Sequence, residues 1–301
     1  MDLSVRIGNK LLPNPVGVAS GTFGYGSEYE DLIDISRLGA IYTKAVTIKP
    51  RPGNDIPRIV ETPSGIINSI GLANVGVDKF ISEKVPHLAQ LPCAIIANVA
   101  GSTEDEYAEV TKKLESSESL WGYEINISCP NVKCGGMSFG TDPSQVEKLT
   151  SRLRALTKRP LIIKLTPNVT DITVIAKAAQ NGGADAVSCI NTLVGMVIDT
   201  KKKTPVLQMK TGGLSGPAIR PVGVAMTYRV KRAVSIPVIG MGGIMTADDA
   251  IQYLLAGASA VQIGTGTFID PRIPSQVLDG IVEYCKREGF ESVKAINEVL
   301  Q

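Results

Sequence analysis

From residue 16 to residue 264 the chain repeats one pattern: a short apolar run, a polar connection, then an amphipathic stretch with helical spacing. The runs are Val16–Ala19, Ala40–Lys44, Ala94–Val99, Tyr123–Ile127, Leu161–Leu165, Ala186–Asn191, Pro237–Gly240 and Ala260–Gly264. They are rich in Val and Ile and barely alternate, as strands buried on both faces do. Helical periodicity covers Glu104–Leu114, Ser144–Leu156, Ile172–Gln180, Ala218–Ala233 and Ala247–Leu255. Asp142-Pro143 supplies an N-cap and a first-turn proline. Thr246 caps another helix, with Asp248 and Asp249 at its positive end. Residues 3–12 alternate, turn at Gly8-Asn9 and alternate again, which predicts a hairpin capping one end of the fold.

Eight such units after a hairpin predict an α/β fold, a (β/α)8 TIM barrel forming one domain over residues 1–301. A doubly wound sheet is the alternative, because Gly240-Met-Gly-Gly243 stands between a strand and a helix. The glycine spacing is wrong for a dinucleotide fingerprint, and the unit comes late in the chain. Two connections are too long for simple loops. They run from Val46 to Pro92 and from Thr192 to Pro217, insertions after strands two and six that leave the C-terminal mouth, where barrels bind ligands.

At 301 residues and 44% hydrophobic the chain can bury one large core, and a net charge of +2 gives no electrostatic case for nucleic acid or an anionic membrane. Lys201-Lys-Lys203 reads as a solvated loop. Five cysteines without regular spacing and a single histidine suggest neither a disulfide framework nor a metal site. Cys93 and Cys189 read as core, and His87 as structural. The N-terminus lacks the look of a signal peptide, and no apolar run reaches the roughly 18 residues of a membrane span. A cytoplasmic setting with no membrane or nucleic-acid partner is expected.

The candidate chemistry sits at the strand ends. Strands two, three, four, five and six carry Lys44, Asn98, Asn126, Lys164 and Asn191 in otherwise apolar runs. Burying one such group unpaired costs roughly 1–3 kcal/mol, so five at the same level of successive strands predict a polar ligand across the mouth. Strands seven and eight end in Gly242-Gly243 and Gly264-Thr-Gly266, where barrels commonly seat a phosphate. In strand four, Glu124, Asn126 and Ser128 share one face. Cys129 follows on a loop, where it is either a small buried hydrophobe or a base, since a free thiol titrates at roughly 8.5. A planar phosphate-bearing anion fits this inventory. FMN is one, and a cation near its pyrimidine edge would stabilise its reduced form.

Asn126-Ile-Ser-Cys-Pro-Asn131, Asn68-Ser-Ile-Gly-Leu72, Lys44-Ala45, Asn191-Thr192 and Lys210-Thr-Gly-Gly-Leu-Ser-Gly-Pro217 resemble the signatures of dihydroorotate dehydrogenases, in the expected order along most of the chain. The cysteine of the Ser-Cys-Pro-Asn motif is similar to class 1; class 2 carries serine there and a membrane-associating extension. Val132-Lys-Cys-Gly-Gly136 and Phe139-Gly-Thr-Asp142 resemble the NAD-linked type, class 1B. The resemblance implies that Cys129 takes a proton from C5 of dihydroorotate while hydride leaves C6 for N5 of FMN, giving orotate. Cys134 would be a variable loop position and not the base. Lys44, Asn68, Ser69, Ile70, Gly71, Leu72, Asn126, Asn191 and Thr192 would bind substrate. Ser20, Lys44, Ala45, Asn98, Asn126, Lys164, Ile190, Gly216, Gly242, Gly243, Gly264 and Thr265 would bind FMN. The Val132–Met137 loop would close over the substrate. The resemblance also implies a partner, an FAD and iron–sulfur subunit that reduces NAD, in a heterotetramer.

Three alternatives remain from the residues. A dihydropyrimidine dehydrogenase-like FMN module would favour Cys-Pro-His over the Cys-Pro-Asn131 found here. A Schiff-base sugar-phosphate lyase would use Lys164 as its nucleophile. A non-catalytic assembly barrel would leave the polar strand ends without a purpose.

Overall fold

The structure, a computed structural model, describes residues 1–128, 133–134 and 137–300. Eight parallel strands close into a barrel: β1 (Val16–Val18), β2 (Ala40–Tyr42), β3 (Ala94–Val99), β4 (Gly122–Asn126), β5 (Leu161–Lys164), β6 (Ala186–Cys189), β7 (Val238–Met241) and β8 (Ala260–Ile263). The closing pair aligns Val261 with Val16. The predicted runs are all present. Two overshoot by two residues, because the backbone leaves the ladder after Tyr42 and Cys189, so Lys44 and Asn191 stand beyond their strands.

The helices are α1 (Glu104–Leu114), α2 (Pro143–Leu156), α3 (Ile172–Asn181), α4 (Arg220–Ala233), α5 (Ala247–Leu255) and α6 (Ile273–Glu288), with a further helical stretch over residues 77–88. Their starts follow local chemistry. Asp142 accepts from the Ser144 and Gln145 amides, and Thr246 and Asp249 form a reciprocal capping box. The stretch from Ala218 does not begin as α-helix; Pro217–Ile219 is a 3-10 turn. Outward residues of β4, Tyr123 and Ile125, are fully buried in one cluster with Val110, Leu114, Val146 and Leu149. Each such aliphatic side chain contributes roughly 1.5–3 kcal/mol.

The N-terminal hairpin pairs Val5–Ile7 with Lys10–Leu12. Its turn is at Gly8, at φ +57°, where a Cβ would stand 2.7 Å from the Asp185 carboxylate. Lys10 donates to the Trp121 carbonyl at 3.0 Å. Asp185 and Trp121 precede β6 and β4, so the hairpin crosses the N-terminal end of the barrel. Val5, Ile7 and Leu12 there share a cluster with Val16, Tyr42, Ile96 and Ile162. One end is thus sealed with apolar side chains and ligand access is left to the other.

At that other end the two long insertions meet. Ile59–Thr62, Gly65–Asn68, Gly212–Ser215 and Leu193–Gly195 form one antiparallel sheet in that order. Lys201, Lys202 and Lys203 are exposed in a turn beyond it, as the sequence suggests. His87 faces Glu30 on the outer surface.

Candidate active site

The centre of the site is a carboxylate inside the barrel. β4 points Glu124 inward, and it is 0% exposed. One carboxylate oxygen accepts from Ser188 Oγ at 2.7 Å and from Gln262 Nε2 at 2.8 Å. The other accepts from Asn98 Nδ2 at 2.6 Å and faces Lys164 Nζ at 3.9 Å. Strands β3, β4, β5, β6 and β8 therefore converge on one group. Burial and the Glu124 charge push the Tyr42 phenol well up. Its ring fits because β1 has no side chain at Gly17, where a Cβ would lie 3.0 Å from it.

Above this floor the polar side chains are linked. Ser128 Oγ donates to Asn126 Oδ1 at 2.6 Å and accepts from Asn191 Nδ2. The Tyr107 hydroxyl of α1 donates to the Asn126 carbonyl at 2.7 Å, fixing the end of β4. Thr43 receives the Asn98 amide and donates to the Lys44 carbonyl, joining the β2 exit to β3. These residues are brought together, but not at one level as expected. Asn98 pairs in register with Glu124, Lys164 pairs with both Asn126 and Ser188, and Lys44 and Asn191 lie outside the ladder. Barrel strands are staggered, so equal positions in sequence runs are not equal heights.

Three polar groups in this cluster lack partners among the described residues: Gln262 Oε1, Asn98 Oδ1 and the Lys44 ammonium. Asn98 is 0% exposed, yet its Oδ1 accepts nothing. Lys44 is half-buried, and its ammonium has neither a hydrogen bond nor an ion pair there. A buried orphan acceptor costs about 1–3 kcal/mol, so the Asn98 oxygen and the Lys44 ammonium suit a ligand carrying a donor and an anion.

The first insertion brings Asn68 opposite Gly213, whose missing side chain leaves room for Thr192. The strand then turns through Ser69-Ile-Gly-Leu72. Asn54 clamps this turn: its Nδ2 donates to the Ser69 carbonyl at 2.8 Å and its amide to the Ile70 carbonyl at 2.9 Å. Gly71 is at φ +78° and Leu72 at φ +57°, a left-handed conformation held by Asn74, which donates to the Leu72 carbonyl at 2.7 Å. Ser69 Oγ is buried without a partner among the described residues.

A glycine cradle completes the mouth. Gly216, Gly242 and Gly243 all have φ above +60°. A Cβ on Gly243 would stand 2.7 Å from the Gly216 carbonyl, and one on Gly216 would stand 2.8 Å from Gly65. Tyr253 donates to the Gly242 carbonyl at 2.7 Å, and Thr265 to Ser215 Oγ at 2.8 Å. Gly264 lies against Ala19 and Thr22, beside Ser20. Ala45 and Ile190 are buried next to the ends of β3 and β7.

The family model described as "Dihydroorotate dehydrogenase" matches residues 2–284. A protein of Geotalea daltonii named "Dihydroorotate dehydrogenase B (NAD(+)), catalytic subunit" is 51% identical over 98% of this chain and 97% of its own. Proteins of the same name from Alkaliphilus metalliredigens and Parabacteroides distasonis are 51% and 50% identical, each over 98% of this chain and over 98% and 97% of their own. The chain belongs to the dihydroorotate dehydrogenase family. Its fold is also that of the Eimeria tenella dihydroorotate dehydrogenase solved with ferulenol, at a TM-score of 0.82 and 22% identity over 98% of this chain and 87% of that one.

In this dihydroorotate dehydrogenase family member the cysteine singled out by sequence, Cys129, lies outside the described residues, as do Asn131 and the paired glycines of the following loop. Of that loop, Lys133–Cys134 and Met137–Ser138 pair as a short antiparallel ladder. Burial pushes the thiols of Cys93 and Cys189 up to about 12, so neither supplies a thiolate near neutrality. Sequence reasoning assigned no role to Glu124, Ser188, Gln262 or Asn54. A Glu and a Gln within strongly apolar runs were the available signals for two of them; Asn54 carried none.

Proposed function

We propose that this chain oxidises dihydroorotate to orotate, a step of pyrimidine biosynthesis, with FMN as its bound flavin. The observation that carries the reading is the clustered barrel mouth, with its orphan acceptor on Asn98 and unpartnered ammonium on Lys44 beside a glycine cradle. Family membership with relatives named for this activity supports it. The whole chain acts as one flavin-binding barrel in the cytoplasm. Among the described residues no helix is long and apolar enough to cross a membrane.

Bound FMN supplies the acceptor for the hydride that leaves C6. Gly216, Gly242, Gly243, Gly264 and Thr265 would hold its phosphate, where glycine turns after late barrel strands offer backbone N–H groups. Ser20, Lys44, Ala45, Asn98, Asn126, Lys164 and Ile190 would hold the rest of it. Substrate is a flat carboxylate with amide edges. The Lys44 ammonium and the Asn68, Asn126 and Asn191 amides complement it, with Thr192 and the Ser69–Leu72 backbone. Cys129 removes the C5 proton. The Val132–Met137 loop excludes water. Lys164, only 5% exposed and held against Glu124, is poorly placed to attack a sugar aldehyde.

Electrons leave through a partner. The relatives named catalytic subunits support a second subunit, and the reading assigns to it FAD, an iron–sulfur cluster and NAD, in a heterotetramer.

The direct test is a visible spectrum of the purified chain. Oxidised flavin bands should bleach when dihydroorotate is added without oxygen. A colourless protein, or bleaching by dihydrouracil and not by dihydroorotate, overturns the proposal. The clamp on the substrate turn gives a second expectation. Asn54→Ala leaves the Ser69 carbonyl without its side-chain donor, a loss of about 1–2 kcal/mol or five- to thirty-fold. The KM for dihydroorotate should rise by that factor while flavin content stays constant; steady-state kinetics with a flavin spectrum separates the two.

A further inference from the structure

We infer that Glu124 is the positioning residue of the cavity floor: it holds Asn98 and Lys164 toward the bound flavin, and its charge tunes the flavin's midpoint potential. The inference rests on the FMN reading above and adds to it a residue with no assigned role.

The geometry is specific. Glu124 is wholly buried and meets Asn98, Ser188, Gln262 and Lys164. All four neighbours offer donors, so the group acts only as an acceptor. An acceptor-only partner fixes the Asn98 amide. Its Nδ2 must face Glu124, which leaves Oδ1 as the atom with no partner among the described residues. The same carboxylate oxygen faces Lys164 at 3.9 Å and keeps that ammonium over the floor. Ser188 and Gln262, from β6 and β8, hold the carboxylate from the far side, so its position is set by four strands besides its own. A charge enclosed in this way is poorly screened by salt and acts at full strength on a neighbouring redox group.

Glu124→Gln is nearly isosteric but has one acceptor where the site supplies four donors. It also removes the negative charge. Less negative charge beside a flavin favours added electrons, so the midpoint potential should rise. A tenfold change in that two-electron equilibrium, about 30 mV, is expected. FMN should bind about tenfold more weakly as the Asn98 and Lys164 contacts loosen. Adding Asn98→Asp to Glu124→Gln returns the charge across the same hydrogen bond: the new carboxylate accepts from the glutamine and still offers an acceptor to the cavity.

The experiment compares the full wild-type chain, E124Q and E124Q/N98D, each loaded with FMN. Dye equilibration gives the midpoint potential, and flavin fluorescence gives the dissociation constant. The expected result is a positive shift with weaker FMN binding in E124Q, and a return of both toward wild type in the double variant. An E124Q protein that keeps the wild-type potential overturns the inference, and so does a double variant that restores neither quantity. If E124Q does not fold, the double variant decides: a folded flavoprotein supports the inference, an unfolded chain overturns it. A wild-type chain that retains no flavin overturns the FMN reading and this inference with it.

Discussion

Replacing Cys129 with alanine should leave the flavin bound but slow its reduction by dihydroorotate by about 10²–10⁴-fold, the usual contribution of a positioned general base. The argument starts from Ser128. Its hydroxyl is locked between Asn126 and Asn191, so the last described residue before Cys129 belongs to the polar cluster. Cys93, half-buried against the core rather than within it as the sequence suggested, and the buried Cys189 have thiols pushed far above neutrality and cannot substitute. A base must be deprotonated to act, so the wild-type rate should rise with pH toward the free-thiol range of roughly 8.5. The alanine variant should lose that rise. Anaerobic stopped-flow reduction across pH reads both effects. Near-normal bleaching in the variant would falsify the assignment of Cys129 as base.

Lys164→Ala has the second largest expected effect, and it acts on stability as well as on flavin. Removing the ammonium leaves the Glu124 charge with three hydrogen-bond donors and no cation. Severing a buried pair typically costs 3–5 kcal/mol; the remaining donors reduce this to about 1–3 kcal/mol. The cation proposed to face the flavin is lost too, which should weaken FMN binding at least about tenfold. Thermal unfolding and flavin content of the purified variant measure the two losses. Glu124→Gln in the same chain should recover most of the stability but not the flavin, because it removes the uncompensated charge without restoring a cation. Unchanged flavin content and unchanged melting together would remove Lys164 from the site.

How much could be read in advance follows from how local each signal is. The eight strands, the capped helices and the two insertions were legible because burial on both faces, caps and loop length are written in contiguous residues. Lys44, Asn98, Asn126, Lys164 and Asn191 stood out because each is polar within an apolar run. Their common height was misjudged, since strand stagger is a property of the closed barrel and not of any strand alone. The union of the two insertions in one sheet was equally invisible, because Asn68 and Gly213 pair across a separation of 145 residues.

The sequence alone therefore determined the repeating architecture, the sealed N-terminal end and the identities of most mouth residues, through periodicity and the cost of burying polar groups. Only the tertiary structure decided which of those residues touch. It made Glu124 the hub of five strands, left the Asn98 oxygen unpaired and put Asn54 against the Ser69 turn. Such pairings depend on barrel closure and on contacts distant in the chain, and these arise only when the sheet curls shut and brings the strands within hydrogen-bond reach.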